Sequence, residues 1–503
     1  MAFLGREREL AQLAEAVRRV AEGRLGRVVL TGPAGIGCTR LLDELSTRVS
    51  SVPGVIACHG RAYEPAMGMP YQAVGDALAS AFARIPDERI ADVVGRAGAD
   101  LSATVPGLGD RLDDLGVDRA PPALVAPELL GRRVLESLLG TLERISDGGV
   151  VLLMLEDVHF ADPATRHFVE AMHEVGRSLP VCLVITYQPD EVHRRHPMQA
   201  MADRLAADDE VVRLGLGPLS AREIERLVID ALGERPPQNA LTAVTEGARG
   251  NALIALELAR SARSLEGVRL SDAFDQLYGA RVEALSRDGA RVVRVLAAAR
   301  VPLLQSTVLA IRPPDGRLTV QGLEEAMAGG FVIGSGERLA IAHEVCAEAV
   351  EAQELTIERQ GIHAALAQQL GDEPALAAWH WARAARPQEA RAAHIEAARL
   401  AARLDPADTV LHHHEQALEL PSLETESSEE TASLLAGAAR ASAAAASYRR
   451  AVALMRRAIE SRAARRASRQ RGHRDAATRT ALGEMQEELG RFQFAAGDLD
   501  AGI

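Results

Sequence analysis

The stretch Arg27-Val28-Val29-Leu30-Thr31-Gly32-Pro33-Ala34-Gly35-Ile36-Gly37-Cys38-Thr39-Arg40-Leu41-Leu42 constrains this chain more than any other. A short apolar run breaks into a glycine-rich turn, and the turn opens into a helical pattern, the layout of a phosphate-binding loop. The pattern for that loop is G-x-x-x-x-G-K-[ST], and Gly32, Gly37 and Thr39 meet it at the right spacing. Cys38 stands where the lysine belongs. The sequence contains no lysine at all, its 57 basic residues being arginines, so no other lysine can swing in to replace the missing one. The expected phosphate contacts are Gly32, Pro33, Ala34, Gly35, Ile36, Gly37, Cys38, Thr39 and Arg40, with the Thr39 hydroxyl reserved for magnesium. A charge-assisted contact of the lysine kind contributes roughly 1.5–3 kcal/mol, so its loss predicts triphosphate binding weaker by about one to two decades. A loop retained only because it packs is the competing reading.

The remainder of the composition bounds the answer. With 503 residues, 47% of them hydrophobic and 25% charged, the chain is long enough for several cores and reads as globular. No run approaches the ~20 apolar residues of a membrane helix, and the N-terminus lacks the regions of a signal peptide, so a cytoplasmic protein without membrane contact is expected. The net charge of −13 argues against nonspecific nucleic-acid binding by the whole chain. Cys38, Cys58, Cys182 and Cys346 form no C-x-x-C pair and are expected to be reduced thiols, the last three buried.

Along the chain, helical spacing between Gly5 and Glu22 precedes the loop strand, and Val55–Cys58 reads as a second strand. Residues 63–126 look like an insertion of short helices and loops, followed by a helix over Pro127–Ile145. Gly149–Leu155 and Val181–Tyr187 are continuous apolar runs, the signature of parallel strands covered on both faces, and Val211–Leu214 is a shorter candidate. Five such strands predict a doubly wound α/β P-loop NTPase with a parallel five-stranded sheet over residues 1–217, its ligand lying beyond the carboxyl ends of the strands. A helical lid (218–268), a winged-helix-like unit (269–350) with β-like runs at Phe331–Ile333 and Arg338–Ile341, and an all-α array resembling tetratricopeptide repeats (351–503) complete the expected multidomain architecture. The last repeat-like segment is cut at Asp498-Leu499, which leads to the expectation that the chain is a fragment.

Glu156 and Asp157 end the third strand. A carboxylate there, Glu156, is expected to hold magnesium with Thr39, and Asp157 to orient an attacking water as the catalytic residue. Phe3-Leu4-Gly5-Arg6-Glu7-Arg8-Glu9-Leu10, the glycine loop and Leu155-Glu156-Asp157-Val158-His159-Phe160-Ala161-Asp162-Pro163 together resemble the ATPase core of large LuxR-family transcriptional regulators of the STAND class. Thr186-Tyr187-Gln188, Gly250-Asn251-Ala252 and Ala342-His343-Glu344 extend the resemblance. It implies an ATP/ADP switch with Mg²⁺, an array that senses a small-molecule inducer or protein partner, self-association, and DNA binding through a helix-turn-helix that is not visible in these 503 residues. Four positions depart from that family's pattern: Cys38 for lysine, Glu156 for aspartate, Gln188, expected to touch the nucleotide, for arginine, and Ala252 for proline. Their concentration at one nucleotide site predicts weak or absent hydrolysis. The rivals are an active ATPase in which another group, Arg40 for instance, replaces the lysine, and a nucleotide-independent interaction protein carried by its array.

Two further clusters read as structural. His412-His413-His414 points around a helix and is expected on a solvated face. The arginines 456, 457, 462, 465, 466, 469, 471 and 474 lie among alanines without aromatics, which fits a solvated face or a partner contact better than nucleic acid.

Overall fold

The computed structural model describes residues 3–117, 119, 130–174, 179–264, 274–402, 407–421, 428–468 and 476–497. Five parallel strands, β1 (Gly26–Thr31), β2 (Val55–Arg61), β3 (Val150–Glu156), β4 (Val181–Tyr187) and β5 (Val212–Gly215), form one sheet in the order β2-β3-β4-β1-β5. Alternation along each strand sends side chains to opposite faces. Val28, Leu30, Leu152, Met154 and Val184 pack beneath α1 (Glu7–Ala21) and α2 (Cys38–Val49). Val29, Leu153, Leu155, Leu183 and Ile185 pack on the other face against α3 (Gln72–Phe82) and the helices Leu130–Ser146 and Pro163–Glu174. Both faces are thus dry, which is why the strands read as unbroken apolar runs rather than alternating ones.

The second strand is longer than its apolar run. It continues through His59-Gly60-Arg61, where Arg61 pairs in register with Glu156. Gly60 permits this: a Cβ there would lie 1.9 Å from the Ala73 carbonyl oxygen of α3, so the helix lies directly on the strand. The inserted segment holds short helices, Gln72–Phe82, Asp87–Val94, Gly98–Thr104 and Leu108–Asp114. Residues 120–129, including Pro121-Pro122 and the expected start of the next helix at Pro127, lie outside the described residues.

Past β5 the chain becomes helical. Ala221–Leu232 starts in a capping box, Ser220 with Glu223, and packs with Gln238–Ala248 and Ala252–Ser264 around their own apolar cluster. Three short antiparallel strands, β6 (Leu303–Leu304), β7 (Val332–Ser335) and β8 (Arg338–Ile341), arranged β6-β8-β7, sit among the helices Phe274–Glu283, Arg287–Ala299 and Val320–Ala328, a winged-helix-like unit. From Thr356 onward successive helices pack each on the next through Ala476–Ala495. Asp498-Leu499, where the last repeat-like segment is cut, and Arg469, Arg471 and Arg474 lie outside the described residues. Among the described residues, no helix is long and apolar enough to cross a membrane.

The three consecutive histidines are a correction. His413 is only 2% exposed and its Nε2 donates to the Gly68 carbonyl oxygen at 2.8 Å, so this helix face is an internal contact rather than a solvated one.

Candidate nucleotide site

The glycine loop leaves β1 at Thr31 and enters α2 at Cys38, placing it beyond the carboxyl edge of the sheet beside the ends of β3 and β4. Gly35 and Gly37 adopt φ of +76° and +110°, which side-chain-bearing residues resist, and this folds the amides inward. The entry to the helix Ala252–Ser264 is bolted onto the loop: Asn251 Nδ2 donates to the Ala34 carbonyl oxygen at 2.8 Å, and the Leu253 amide donates to that of Gly35 at 3.1 Å. A Cβ on Gly35 would stand 2.9 Å from Asn251 Oδ1, so only glycine admits this clamp.

Around the loop lies a cavity of about 320 Å³, within the range of small-molecule sites. Phe3, Leu4, Leu219, Leu227 and Leu256 form its apolar wall, and Glu156, Asp157, Gln188, His343 and Glu344 line its polar side. The structure brings every sequence-predicted site residue to this cavity: Gly32, Pro33, Ala34, Gly35, Ile36, Gly37, Cys38, Thr39, Arg40, Glu156, Asp157 and Gln188 all line it.

Thr39 Oγ1 donates to Glu156 Oε2 at 2.5 Å, and His59 Nε2 lies 2.5 Å from Glu156 Oε1, so both carboxylate oxygens are engaged. Burial opposes the Glu156 charge, but His59, Arg61 and Thr39 outweigh it and hold its pKa below the usual carboxylate value. Burial likewise works against His59, and Glu156 with Asp43 more than offsets it, so the imidazole titrates above its ordinary value. Asp157 sits at φ +53°, its amide donating to Thr186 Oγ1 at 2.9 Å, and its Oδ2 accepts from Arg61 Nε at 2.8 Å. Burial and the neighbouring Glu156 push the Asp157 carboxyl upward against the pull of Arg61 and Gln188. Arg61 Nη2 also lies 3.9 Å from Glu344, and Arg300 Nη1 is 3.5 Å from the same carboxylate, so an ionic chain runs from the acidic pair into the winged-helix-like unit.

Cys38 is a neutral thiol. Burial first, then Glu156 and Asp157, push its pKa up to about 12, so the N-terminus of α2 does not turn it into a thiolate. Arg40 lies at the mouth with its side chain 48% exposed, 3.4 Å from Glu44 and stacked over the Phe3 ring. The cations that line the cavity beside it are Arg6, Arg61 and Arg260, and Arg6 is buried with Nη2 donating to the Gly217 carbonyl oxygen at 2.5 Å. The residues present therefore fit a nucleoside phosphate in backbone and hydroxyl donors, and Thr39 with Glu156 would hold its magnesium; Cys38 at the lysine position and Gln188 at the arginine position supply no charge.

His59 and Arg61 are not legible as site residues in the sequence; the only signal for them is their place, two polar residues flanking Gly60 at the end of an apolar run. Arg6 stands in the motif Phe3-Leu4-Gly5-Arg6-Glu7 that carries the resemblance, though the motif assigns it no role at the site.

Residues 2–185 match the family model of an AAA ATPase domain, in agreement with the loop, the acidic pair and the sheet. The N-terminal unit has the fold of a P-loop NTPase. No curated protein sequence matches the chain. Among solved structures, a signal transduction ATPase with numerous domains (STAND) carrying a tetratricopeptide repeat sensor, from Pyrococcus horikoshii, is similar at 13% identity over 98% of this chain and 68% of that one, with a TM-score of 0.47. A Walker-type ATPase of Pyrococcus abyssi (13% identity, 69% of this chain, 96% of that one, TM-score 0.33) and a Thermotoga maritima RuvB variant (14%, 70%, 97%, 0.30) are also similar.

Proposed function

We propose that the chain is a signal-transducing regulator of the STAND type, acting in transcription control, that binds ATP or ADP with Mg²⁺ weakly and hydrolyses it slowly or not at all. The observation that carries this reading is the neutral Cys38 thiol set in an otherwise complete cradle, with Glu156 held by Thr39 and His59. A binding loop built this completely, with a lid clamped onto it through Asn251, supports nucleotide binding as an ordering event. Hydrolysis needs a free carboxylate to orient water and cationic compensation for the phosphoryl group. Here Asp157 is engaged by Arg61 and the compensating lysine is absent. The bound nucleotide then acts by tying the loop, the lid and the winged-helix-like unit together, while the helical array receives an inducer or partner. The sequence resemblance to LuxR-family STAND regulators supports the link to transcription.

Isothermal titration of the purified chain with ATP and Mg²⁺, paired with a phosphate-release assay, tests this. The expected outcome is binding weaker than micromolar without sustained phosphate release. Micromolar binding with steady turnover would overturn it, and a melting temperature unmoved by excess ATP would favour an array that works without nucleotide.

A further inference from the structure

A second cavity, of about 430 Å³, lies where three parts of the chain meet. The insertion contributes Tyr63, Met69 and Val105, the winged-helix-like unit Leu303 and Leu304, and the array Leu376. It shares no lining residue with the nucleotide cavity. Its size is that of a site for a small organic molecule, and its walls are largely apolar.

The charged groups on this cavity are unequal: Asp76, Asp372 and Glu373 against Arg338. Arg338 is shared within the cavity: it acts on both Asp76 and Glu373, and its Nη1 donates at 3.1 Å to the carbonyl oxygen of Pro302, another lining residue. Asp76 belongs to α3 and is half-buried, and its Oδ2 accepts from Gln72 Nε2 at 2.5 Å. Burial pushes the Asp76 carboxyl above the usual range, and the Gln72 amide and Arg338 only partly offset it, so the single arginine of this wall does not balance its three acids. An apolar chamber with one such carboxylate on its wall is complementary to a molecule that is hydrophobic over most of its length and cationic at one end.

We infer that this junction cavity is a binding site for a small hydrophobic amine, its ammonium paired with Asp76 and its hydrocarbon part between the insertion, the winged-helix-like unit and the array. Such a ligand touches three parts of the chain at once, so it binds the packed arrangement and no arrangement in which they separate. The site also sits one residue away from the nucleotide chemistry. The same Gln72 amide that donates to Asp76 donates to the Arg61 carbonyl oxygen at 3.0 Å, and Arg61 holds Asp157.

The test is calorimetric titration of the full chain, without nucleotide, using octylamine, octanol and octanoate as probes of one chain length. Octylamine should bind at one site and roughly ten- to hundred-fold more tightly than octanol, with octanoate weakest. Asp76→Asn should remove the margin of octylamine over octanol and leave octanol binding as it was. Ala103→Trp, at an exposed lining position, should weaken the amine and the alcohol alike by filling the chamber. Equal affinity for octylamine and octanol in the unmodified chain overturns the inference, as does an octylamine margin that survives Asp76→Asn in a variant with unchanged circular dichroism. An octylamine affinity untouched by Ala103→Trp overturns the location. Because no nucleotide is present, these outcomes are independent of the proposed nucleotide binding.

Discussion

Cys38 occupies the one position of the loop whose chemistry the rest of the site cannot replace. Its thiol is neutral and faces Glu156 and Asp157, two acids that repel any negative charge placed beside them. A lysine side chain starting from the same backbone would meet those carboxylates and the phosphates together, and the amide nest around it is already formed. Cys38→Lys should therefore tighten Mg·ATP binding by about one to two decades, read by isothermal titration; an unchanged affinity would mean that the nest itself is closed to phosphate. Hydrolysis should stay low in that variant because Asp157 remains tied to Arg61. The loop, Thr39 and the acidic pair could be read directly from the sequence because each is a local pattern with a fixed spacing. His59 and Arg61 could not. Their importance comes from β2 lying alongside β3, which aligns Arg61 with Glu156 across a separation that no local pattern encodes.

At the scale of elements, apolar runs and helical periodicity located the strands and most helices, since both report burial of one side chain after another. What they did not show is how helices meet. The array carries two buried imidazole pairs between consecutive helices, His363 Nδ1 to His380 Nδ1 at 2.9 Å and His394 Nδ1 to His413 Nδ1 at 3.0 Å. In each pair one nitrogen must donate and the other accept, so at least one ring is neutral. Burial, the largest cause throughout, lowers His363 and His413 to about 3 and His394 and His414 to about 4, from an ordinary 6.5. Below pH 6.5 the unfolded chain binds these protons before the folded one does. The array should thus keep its full stability above pH 6.5 and lose it as the pH falls from 6.5 towards 4, by up to about 1.4 kcal/mol per pH unit for each such histidine. Thermal melts followed by circular dichroism from pH 7.5 to 4.5 check this, and a melting temperature that is flat across the range would contradict it. A second element-level contact is steric. Gly60→Ala would drive a Cβ into the backbone of α3, and a loss of roughly 1–3 kcal/mol of stability is expected in chemical denaturation; full stability in that variant would show that α3 can lift off the strand without cost.

At the scale of the whole molecule, polar contacts join the array to the P-loop unit, and the one between His413 and Gly68 joins residues 345 apart in sequence. The arrangement fixes proton positions. His413 Nε2 carries the hydrogen it donates to the Gly68 carbonyl, so its Nδ1 is the acceptor and His394 Nδ1 the donor. The Arg383–Glu64 ion pair at 2.8 Å lies on the same seam, with exposed partners whose contribution is small. Gly68 matters through its missing side chain: a Cβ there would lie 2.3 Å from His413 Cε1 and 2.5 Å from Nε2. Both contacts are too close for a ring fixed by hydrogen bonds on two sides to yield. Gly68→Ala should therefore part the His413 helix from the P-loop unit while leaving the core of the later array helices around Leu435 and Met455 intact, since that core includes neither residue; the first array helices stay tied to the winged-helix-like unit through Leu366, Leu370 and Leu376. Small-angle scattering should show a larger radius of gyration for the variant at unchanged helical content. An unchanged radius would mean that the seam accommodates the methyl by shifting as a body, and that packing around Leu303 and Leu376, rather than the imidazole, keeps the array in place.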